Sequence, residues 1–267
     1  MGFMNLDCMD AERVEAAPVK PRRIQGESTP EPEWQRWLQQ LAVPGWQWSE
    51  HAGPSARLVV VAPHPDDEVL ACGGLLAMAT QSGSESLVVA VTDGEASHSG
   101  SAHWTTDRLR ATRRGERAMG LAQLGLSGAN LVRMGLPDGQ VARHSAVLTS
   151  RLTALLRPGD VVVSTWRLDA HPDHDAAGAC AALACRASGC RLAEAPVWMW
   201  HWAVPGDWRV PWNRLRAVQL QPRAWERKQA ALSAHASQLS QRGPSQGPVL
   251  DNGILARSCR DTEYFFI

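Results

Sequence analysis

Short valine-rich runs alternate with longer helical stretches over most of this chain. Four such runs lie at 57–62, 86–91, 129–136 and 160–166. Continuous apolar runs of this length are typical of strands that are buried on both faces of a parallel sheet. Their alternation with helices of ten or more residues indicates βαβ units. We therefore predict an α/β fold of the Rossmann-like type, a single domain with a mostly parallel sheet and helices on both faces.

Capping and breaking residues predict the remaining elements. A short helix within 29–43 would begin with Thr29 as its N-cap and Pro30 in its first turn. Further helices are predicted over 64–83, 107–125, 144–156, 171–187 and 223–240. Further strands are predicted near 196–202, 215–220 and 262–267.

The first part of the chain differs in composition from the rest. Residues 1–55 are rich in Pro, Glu and Trp and poor in Val and Ile. We interpret them as an N-terminal extension that is partly flexible, with about the first 25 residues mobile. The domain itself would then span 56–267.

Charge and hydropathy exclude several functions. Lys and Arg together number 27, as do Asp and Glu, so the net charge is zero and no nucleic-acid partner is expected. No run of about 18 apolar residues suggests a membrane span. The N-terminus lacks the basic and apolar regions of a signal peptide, so a cytoplasmic protein is expected. The six cysteines form no CxxC pair and are interpreted as reduced thiols.

Two polar clusters directly follow predicted strands. Residues 62–68 (APHPDDE) follow the first strand, and residues 169–175 (DAHPDHD) follow the fourth. In open parallel sheets, ligands bind at the carboxyl ends of the strands. Both clusters would therefore face one crevice if the first and fourth strands are neighbours.

The residue types in these clusters favour a metal site. Imidazole and carboxylate are standard zinc ligands, and a catalytic zinc uses three protein ligands and one open position. Zinc activates water and polarises an amide carbonyl, and a neighbouring carboxylate can accept the proton. Aspartates at helix starts often cap the backbone, but capping alone does not explain both clusters. The first turn lacks the G-x-G-x-x-G pattern of a dinucleotide site, and its acidic side chains would repel a pyrophosphate.

Three other features carry open alternatives. The Trp-rich segment 196–212 is either an aromatic outer strand with a Pro-rich loop or a stacking surface for a sugar. The loop 96–106, which carries His98 and His103, is either a lid over the site or a mobile surface loop. His235 is interpreted as a packed or exposed side chain rather than a metal ligand.

The sequence resembles the PIG-L/LmbE-like family of zinc-dependent N-deacetylases, which act on N-acetylglucosaminyl groups. The resemblance covers about residues 57–240, and its motifs occur in the family's order. They are PHPDDEVLACGG at 63–74, VTDGE at 91–95, Arg113 with Glu116, Leu124-Gly125, LPDG at 136–139, HPDHDAAG at 171–178 and KQAALSAHASQ at 228–238.

The resemblance implies a role for each residue that matches the family's catalytic motifs. The zinc ligands would be His64, Asp67 and His174. Asp66 would be the general base for metal-activated water. His171 would stabilise the oxyanion and help to protonate the amine, and Asp173 would orient His171.

Other matches imply contacts with the substrate. Arg113 and Asp138 match positions that contact the sugar, although Arg113 could equally pair with Glu116 on its own helix. Asp93 and Glu95 would either form the rim of the site or close a turn.

We therefore expect a zinc-dependent hydrolase that removes an N-acyl group, typically acetyl, from an amino sugar or glycoconjugate. Ferrous iron is the alternative metal, because the same ligands suit both. One alternative function is an amidase that acts on a larger thiol or lipid conjugate. Another is a metal-containing sugar-binding protein without turnover, which would have no need of Asp66 as a base. The acyl group and the oligomeric state stay open at this point.

Overall fold

A computed structural model describes residues 22–24, 26–48, 56–101, 103–243 and 246–267. Within these residues the chain forms seven β-strands and nine α-helices. The strands are β1 (Leu58–Ala62), β2 (Ser86–Ala90), β3 (Leu131–Arg133), β4 (Val161–Thr165), β5 (Arg191–Ala195), β6 (Leu215–Gln219) and β7 (Thr262–Phe266). The helices are α1 (Glu31–Leu41), α2 (Asp67–Gln81), α3 (Thr106–Gln123), α4 (Ser145–Leu155), α5 (Pro172–Ser188), α6 (Met199–Trp202), α7 (Pro222–Ser233), α8 (Ala236–Leu239) and α9 (Asn252–Ser258).

The strands form one mixed sheet in the order β3-β2-β1-β4-β5-β7-β6. The first five are mutually parallel, whereas β7 runs antiparallel to both β5 and β6. The first and fourth strands pair directly, with Leu58 opposite Val161 and Val61 opposite Ser164. This topology confirms the predicted α/β fold, and it meets the condition under which the two polar clusters face one crevice, because strands one and four are neighbours.

Alternate residues of β1 pack into cores on opposite faces of the sheet. Val60 belongs to a buried cluster with Leu75 of α2, and Val61 belongs to another with Leu148 of α4. Each buried Val or Leu stabilises the fold by roughly 1.5–3 kcal/mol relative to an exposed one. Burial on both faces explains why these strands are continuous apolar runs rather than alternating ones.

The N-terminal helix packs on the domain through tryptophan. Trp34 is fully buried, its Nε1 donates to the Trp200 carbonyl at 2.9 Å, and the two rings meet edge to face. The predicted N-cap at Thr29 was wrong, because Pro30 is the N-cap residue. The Thr29 hydroxyl instead donates to the Ala203 carbonyl at 2.6 Å, a tertiary bond that replaces the cap. The segment predicted to be mobile falls mainly on residues 1–21, outside the described part of the chain.

The predicted strand at 196–202 was also wrong. β5 ends at Ala195, and Met199–Trp202 form the short helix α6. The Asp169 carboxylate accepts three consecutive backbone N–H groups, from Val197, Trp198 and Met199. These bonds turn the backbone away from the sheet and override the strand preference of the aromatic residues.

The C-terminal third differs from the sequence prediction in two respects. The single helix predicted over 223–240 is divided into α7 and α8 at His235. The short helix α9 was not predicted; Asp251 caps it by accepting the Ile254 N–H at 2.9 Å. The predicted terminal strand is present as β7.

Two further findings concern the described residues as a whole. None of their helices combines the length and the apolar character needed to cross a membrane. Their five cysteines are free thiols.

Candidate active site

The two polar clusters meet at the carboxyl edge of β1 and β4. Because these strands are parallel neighbours, the turns that follow Ala62 and Thr165 lie side by side. A cavity of about 260 Å³ opens there. The cavity is lined by most of the predicted site residues, namely His64, Asp66, Asp67, Arg113, Asp138, His171 and His174.

A single carboxylate oxygen lies between two imidazole rings. Asp67 Oδ2 is 3.2 Å from His64 Nδ1 and 3.3 Å from His174 Nε2. The same oxygen accepts the His64 backbone N–H at 2.8 Å. Two imidazole nitrogens and one carboxylate oxygen match the donor set that a catalytic zinc uses.

The surrounding carboxylates favour a positive charge at this point. Burial opposes protonation of His174, but Asp67 and Asp169 raise its pKa to about 9. Burial likewise opposes protonation of His64, yet Asp138, Asp173 and Asp67 raise its pKa well above the usual value. The imidazoles therefore hold protons where a bound metal would carry the charge, so the electrostatics fit a cation.

A third imidazole stands beside the first two. His64, His171 and His174 each place a ring nitrogen within 4.8 Å of the other two, so His171 is an alternative third ligand to Asp67. Burial and the charges of His174 and His64 lower the pKa of His171 to about 2. The His171 ring also stacks on Trp198, with centroids 6.3 Å apart and an interplanar angle of 20°.

His174 is oriented by a buried aspartate. Asp169 Oδ2 lies 2.8 Å from His174 Nδ1, so Nε2 is left to face Asp67. Such a carboxylate behind a ligating histidine fixes its tautomer and ring orientation. Asp169 belongs to the second polar cluster of the sequence, but no role was predicted for it. The available signal was its position in the turn that follows a strand, two residues before the first histidine of HPDH.

The contacts of Asp173 differ from the predicted ones. Its carboxylate is 3.3 Å from His64 Nε2 and accepts the Gly139 and Val141 N–H groups. Only its backbone meets His171, where the Asp173 N–H donates to Nδ1 at 3.3 Å. The prediction that the Asp173 side chain orients His171 is therefore corrected: this carboxylate contacts His64, because helix α5 points it across the crevice toward β1.

Asp66 occupies a strained backbone position in the cavity wall. Its φ of 135° lies in a region that non-glycine residues rarely adopt, and its side chain is buried. Such strain is typical of functional sites. Burial raises the pKa of Asp66 well above the usual value, and the charge of Asp67 adds to this shift.

Arg113 and Asp138 face the same cavity. Arg113 is buried, its Nη1 donates to the Gly94 carbonyl at 2.8 Å, and its Nε and Nη2 have no partner among the described residues. Arg113 is not paired with Glu116, which accepts the Ser237 N–H and hydroxyl instead. Burial raises the pKa of Asp138, but hydrogen bonds from His64 and from the Ala96 N–H outweigh this effect and lower the pKa to about 2.

Other candidate residues lie outside the cavity lining. Asp93 binds Arg114 and Arg133, so it ties α3 to β3 rather than forming the rim. His235 is fully buried in the turn between α7 and α8. The start of the 96–106 loop contributes Ala96 and Ser97 to the cavity wall.

One wall of the cavity was not predicted from the sequence. This wall is apolar and consists of Leu70, Val197, Trp198, Val249, Leu250 and Ile254. Its members come from three separate stretches of the chain, and no local pattern connects these stretches. Val197 and Trp198 place the start of the Trp-rich segment at the site.

The fold and the site together define a class of protein: an α/β domain with a His/Asp metal-type site at the carboxyl edge of its parallel strands. A family model described as PIG-L, GlcNAc-PI de-N-acetylase, matches residues 59–185. The chain belongs to this PIG-L family. A search of curated protein sequences gave no match.

Solved structures share the architecture. The conserved protein TT1542 from Thermus thermophilus is 30% identical, with 75% of this chain and 84% of that chain covered and a TM-score of 0.52. The N,N'-diacetylchitobiose deacetylase from Pyrococcus horikoshii is 18% identical, with coverages of 83% and 82% and a TM-score of 0.55. The deacetylase of the antimicrobial A40926 pseudoaglycone is 22% identical, with coverages of 80% and 97% and a TM-score of 0.59. The last two show a shared fold.

Proposed function

We propose that this protein is a zinc-dependent N-deacetylase that releases an acetyl group from the nitrogen of an amino sugar or glycoconjugate. The observation that carries the proposal is the Asp67 oxygen between His64 and His174, with Asp66 beside it in the same cavity. Membership of the PIG-L family supports it. Two structural neighbours that are named as deacetylases agree with it at the level of the fold.

His64, Asp67 and His174 would hold the metal, and ferrous iron is the alternative to zinc. When bound, zinc supplies Lewis-acid activation of water and of the amide carbonyl. The protein's part is to fix the ligands: Asp169 holds His174, and Asp173 holds His64. Because both imidazoles are already oriented, little reorganisation is needed when the metal binds.

Asp66 would act as the general base. Its carboxylate lines the cavity next to Asp67 and is buried away from bulk water. Burial and the charge of Asp67 raise the pKa of Asp66, whereas a cation at the neighbouring ligands would favour its ionised form. A base whose pKa is tuned toward neutrality accepts a proton efficiently at neutral pH.

His171 and Arg113 would contact the substrate. His171 lines the same cavity beside both ligand histidines, so its neutral ring can donate a hydrogen bond to the carbonyl oxygen or to the departing amine. Arg113 has buried N–H groups without partners among the described residues, and Asp138 lies in the same wall. Hydroxyl groups of a sugar are suitable partners for this pair.

The test is amine release from a panel of N-acetylated amino sugars and conjugates, with metal-loaded and chelator-stripped enzyme compared side by side. We expect only the metal-loaded enzyme to release amine, and we expect added zinc to restore release by the stripped enzyme. Equal release by both preparations would contradict metal dependence. No release from any compound, with the metal bound, would count against the deacetylase and favour a sugar-binding protein.

A further inference from the structure

A second cavity adjoins the one described above. Its volume is about 40 Å³, which is room for a few water molecules or one small anionic group. Leu70, Val197 and Ile254 line both cavities, so the second lies directly behind the apolar wall of the first. Its other walls come from α7, α9 and β7.

The charged residues of this cavity do not balance. Lys228 pairs with Glu263 at 2.8 Å, and Arg260 pairs with Glu31 through two hydrogen bonds. Arg257 is the remaining cation. Asp251, the other carboxylate near Arg257, accepts the Ile254 N–H as the cap of α9. Asp251 and Glu31 favour the charged form of Arg257 from a distance, but no carboxylate of the described residues is hydrogen-bonded to its Nη1 or Nη2.

Arg257 is buried without hydrogen-bond partners for its terminal nitrogens. Only 7% of the residue is exposed, and neither Nη1 nor Nη2 has a partner among the described residues. Burial and the charge of Arg260 lower the pKa of Arg257 to about 10. A buried, unpaired guanidinium is costly, and such groups are normally paired or bound to a ligand.

The guanidinium fork selects a particular kind of ligand. Its parallel N–H groups match the two oxygens of a carboxylate or phosphate, and such bonds are charge-assisted. The small volume admits a single anionic group rather than a whole sugar. The position behind the apolar wall places that group beyond an apolar portion of the bound molecule.

We propose that this cavity is an anion subsite in which Arg257 receives a carboxylate or phosphate group carried by the substrate. The inference rests on the proposed function, since it extends the same substrate from the metal centre past the apolar wall. The substrate class is then an N-acetylated amino sugar that bears an apolar linkage and a terminal anion.

Calorimetric titration with inorganic phosphate tests the cavity without any turnover. Wild type, Arg257→Met and Arg257→Lys are compared with Arg223→Met, which removes an exposed arginine of α7. Arg257→Met should bind phosphate about tenfold or more weakly, the scale of a charge-assisted hydrogen bond, and the Lys variant should recover part of the affinity. Equal binding by wild type and Arg257→Met, or no binding by wild type, would overturn the subsite.

A purely structural role for Arg257 makes a different prediction. Loss of a structural arginine would lower the Tm, whereas removal of an unpaired buried charge should leave it unchanged or raise it. A large fall in Tm for Arg257→Met, with phosphate affinity unaltered in both Arg257 variants, would assign the residue to folding and overturn the proposal.

A substrate pair distinguishes a substrate-borne anion from a free one. Two N-acetylated amino-sugar glycosides with the same alkyl linker, ending in phosphate or in hydroxyl, are compared by kcat/KM. The charged-to-neutral ratio should fall about tenfold or more in Arg257→Met and stay constant in Arg223→Met. An unchanged ratio would overturn the substrate-borne anion. If neither glycoside releases amine, the proposed function fails, and the phosphate titration still decides whether the cavity binds anions.

Discussion

Oδ2 of Asp169 lies 2.8 Å from Nδ1 of His174, and both side chains are buried. The same carboxylate accepts the N–H groups of Val197, Trp198 and Met199. Asp169 therefore connects a candidate metal ligand to the segment that supplies Val197 and Trp198 to the apolar wall of the cavity. A change at this position should affect the metal site and the Trp-rich segment together.

Asp169→Asn should weaken zinc binding by about 10- to 100-fold, because the amide no longer fixes the His174 ring as a carboxylate does. Competition with a chelator measures the change. Asp160→Asn is a matched control, since Asp160 is equally buried at the other end of β4 and pairs with Arg57. It should lower the Tm without weakening zinc binding. An equal loss of zinc affinity in both variants would show a general structural effect.

Asp66 and Asp67 are adjacent but should behave differently when each is replaced by Asn. Asp66→Asn should keep the metal and lose about 100-fold or more in kcat, the usual scale for a general base. Asp67→Asn should lose the metal, because its oxygen faces both ligand imidazoles. Metal content and kcat are measured on the same preparations. Full activity in Asp66→Asn would exclude it as the base.

His171→Ala separates the two candidate ligand sets. If Asp67 is the third ligand, this variant keeps one metal per chain and loses about 100-fold in kcat, as expected for loss of an oxyanion donor. If the three histidines within 4.8 Å of one another are the ligands, the metal is lost with the activity. Metal analysis of the purified variant gives the answer directly.

Acid should destabilise the protein in part through His235. Burial and the charges of Arg117 and Arg113 lower its pKa to about 3. An unfolded chain protonates this histidine from about pH 6.5, whereas the folded chain resists until about pH 3. The contribution of His235 to the free energy of unfolding is therefore complete above about pH 6.5. It is lost as the pH falls from about 6.5 to about 3, by up to about 1.4 kcal/mol per pH unit.

Denaturant unfolding at about pH 6.5 and about pH 4 measures this contribution. His235→Asn should lose less stability between the two conditions than wild type does. The exposed His103 provides the control, and His103→Asn should follow wild type. Parallel profiles for wild type and His235→Asn would show that His235 is not responsible.

Two helical glycines should respond to alanine with opposite signs. A Cβ at Gly178 would lie 2.5 Å from the Thr165 carbonyl oxygen, where α5 crosses the end of β4. Gly178→Ala should cost about 1–3 kcal/mol through this overlap. Gly115 on α3 has open space around it, so Gly115→Ala should raise the free energy of unfolding by about 0.5–1 kcal/mol. The Tm of each variant checks the pair, and a stabilised Gly178→Ala would contradict the close packing.

Local hydropathy patterns predicted the strands correctly where burial of apolar side chains dominates. The valine runs that became β1, β2 and β4 are buried on both faces, so their hydropathy alone indicates strands. The prediction of a strand at 196–202 was wrong. Its aromatic composition favours a strand, but the Asp169 carboxylate, 28 residues before Val197, accepts its backbone N–H groups and turns the chain. Thr29 failed as a cap for a similar reason, since its hydroxyl bonds to a residue 174 positions away.

The sequence by itself determined the α/β class, the position of the two polar clusters after strands, and the chemistry of their side chains, because these depend on neighbouring residues. Only the tertiary structure decided which groups meet. It placed the Asp173 carboxylate on His64, put Asp169 behind His174, and brought Ile254 and Arg257 of α9 near the site. These contacts depend on strand order and helix orientation, which are set by the packing of the whole core and not by any local run of residues.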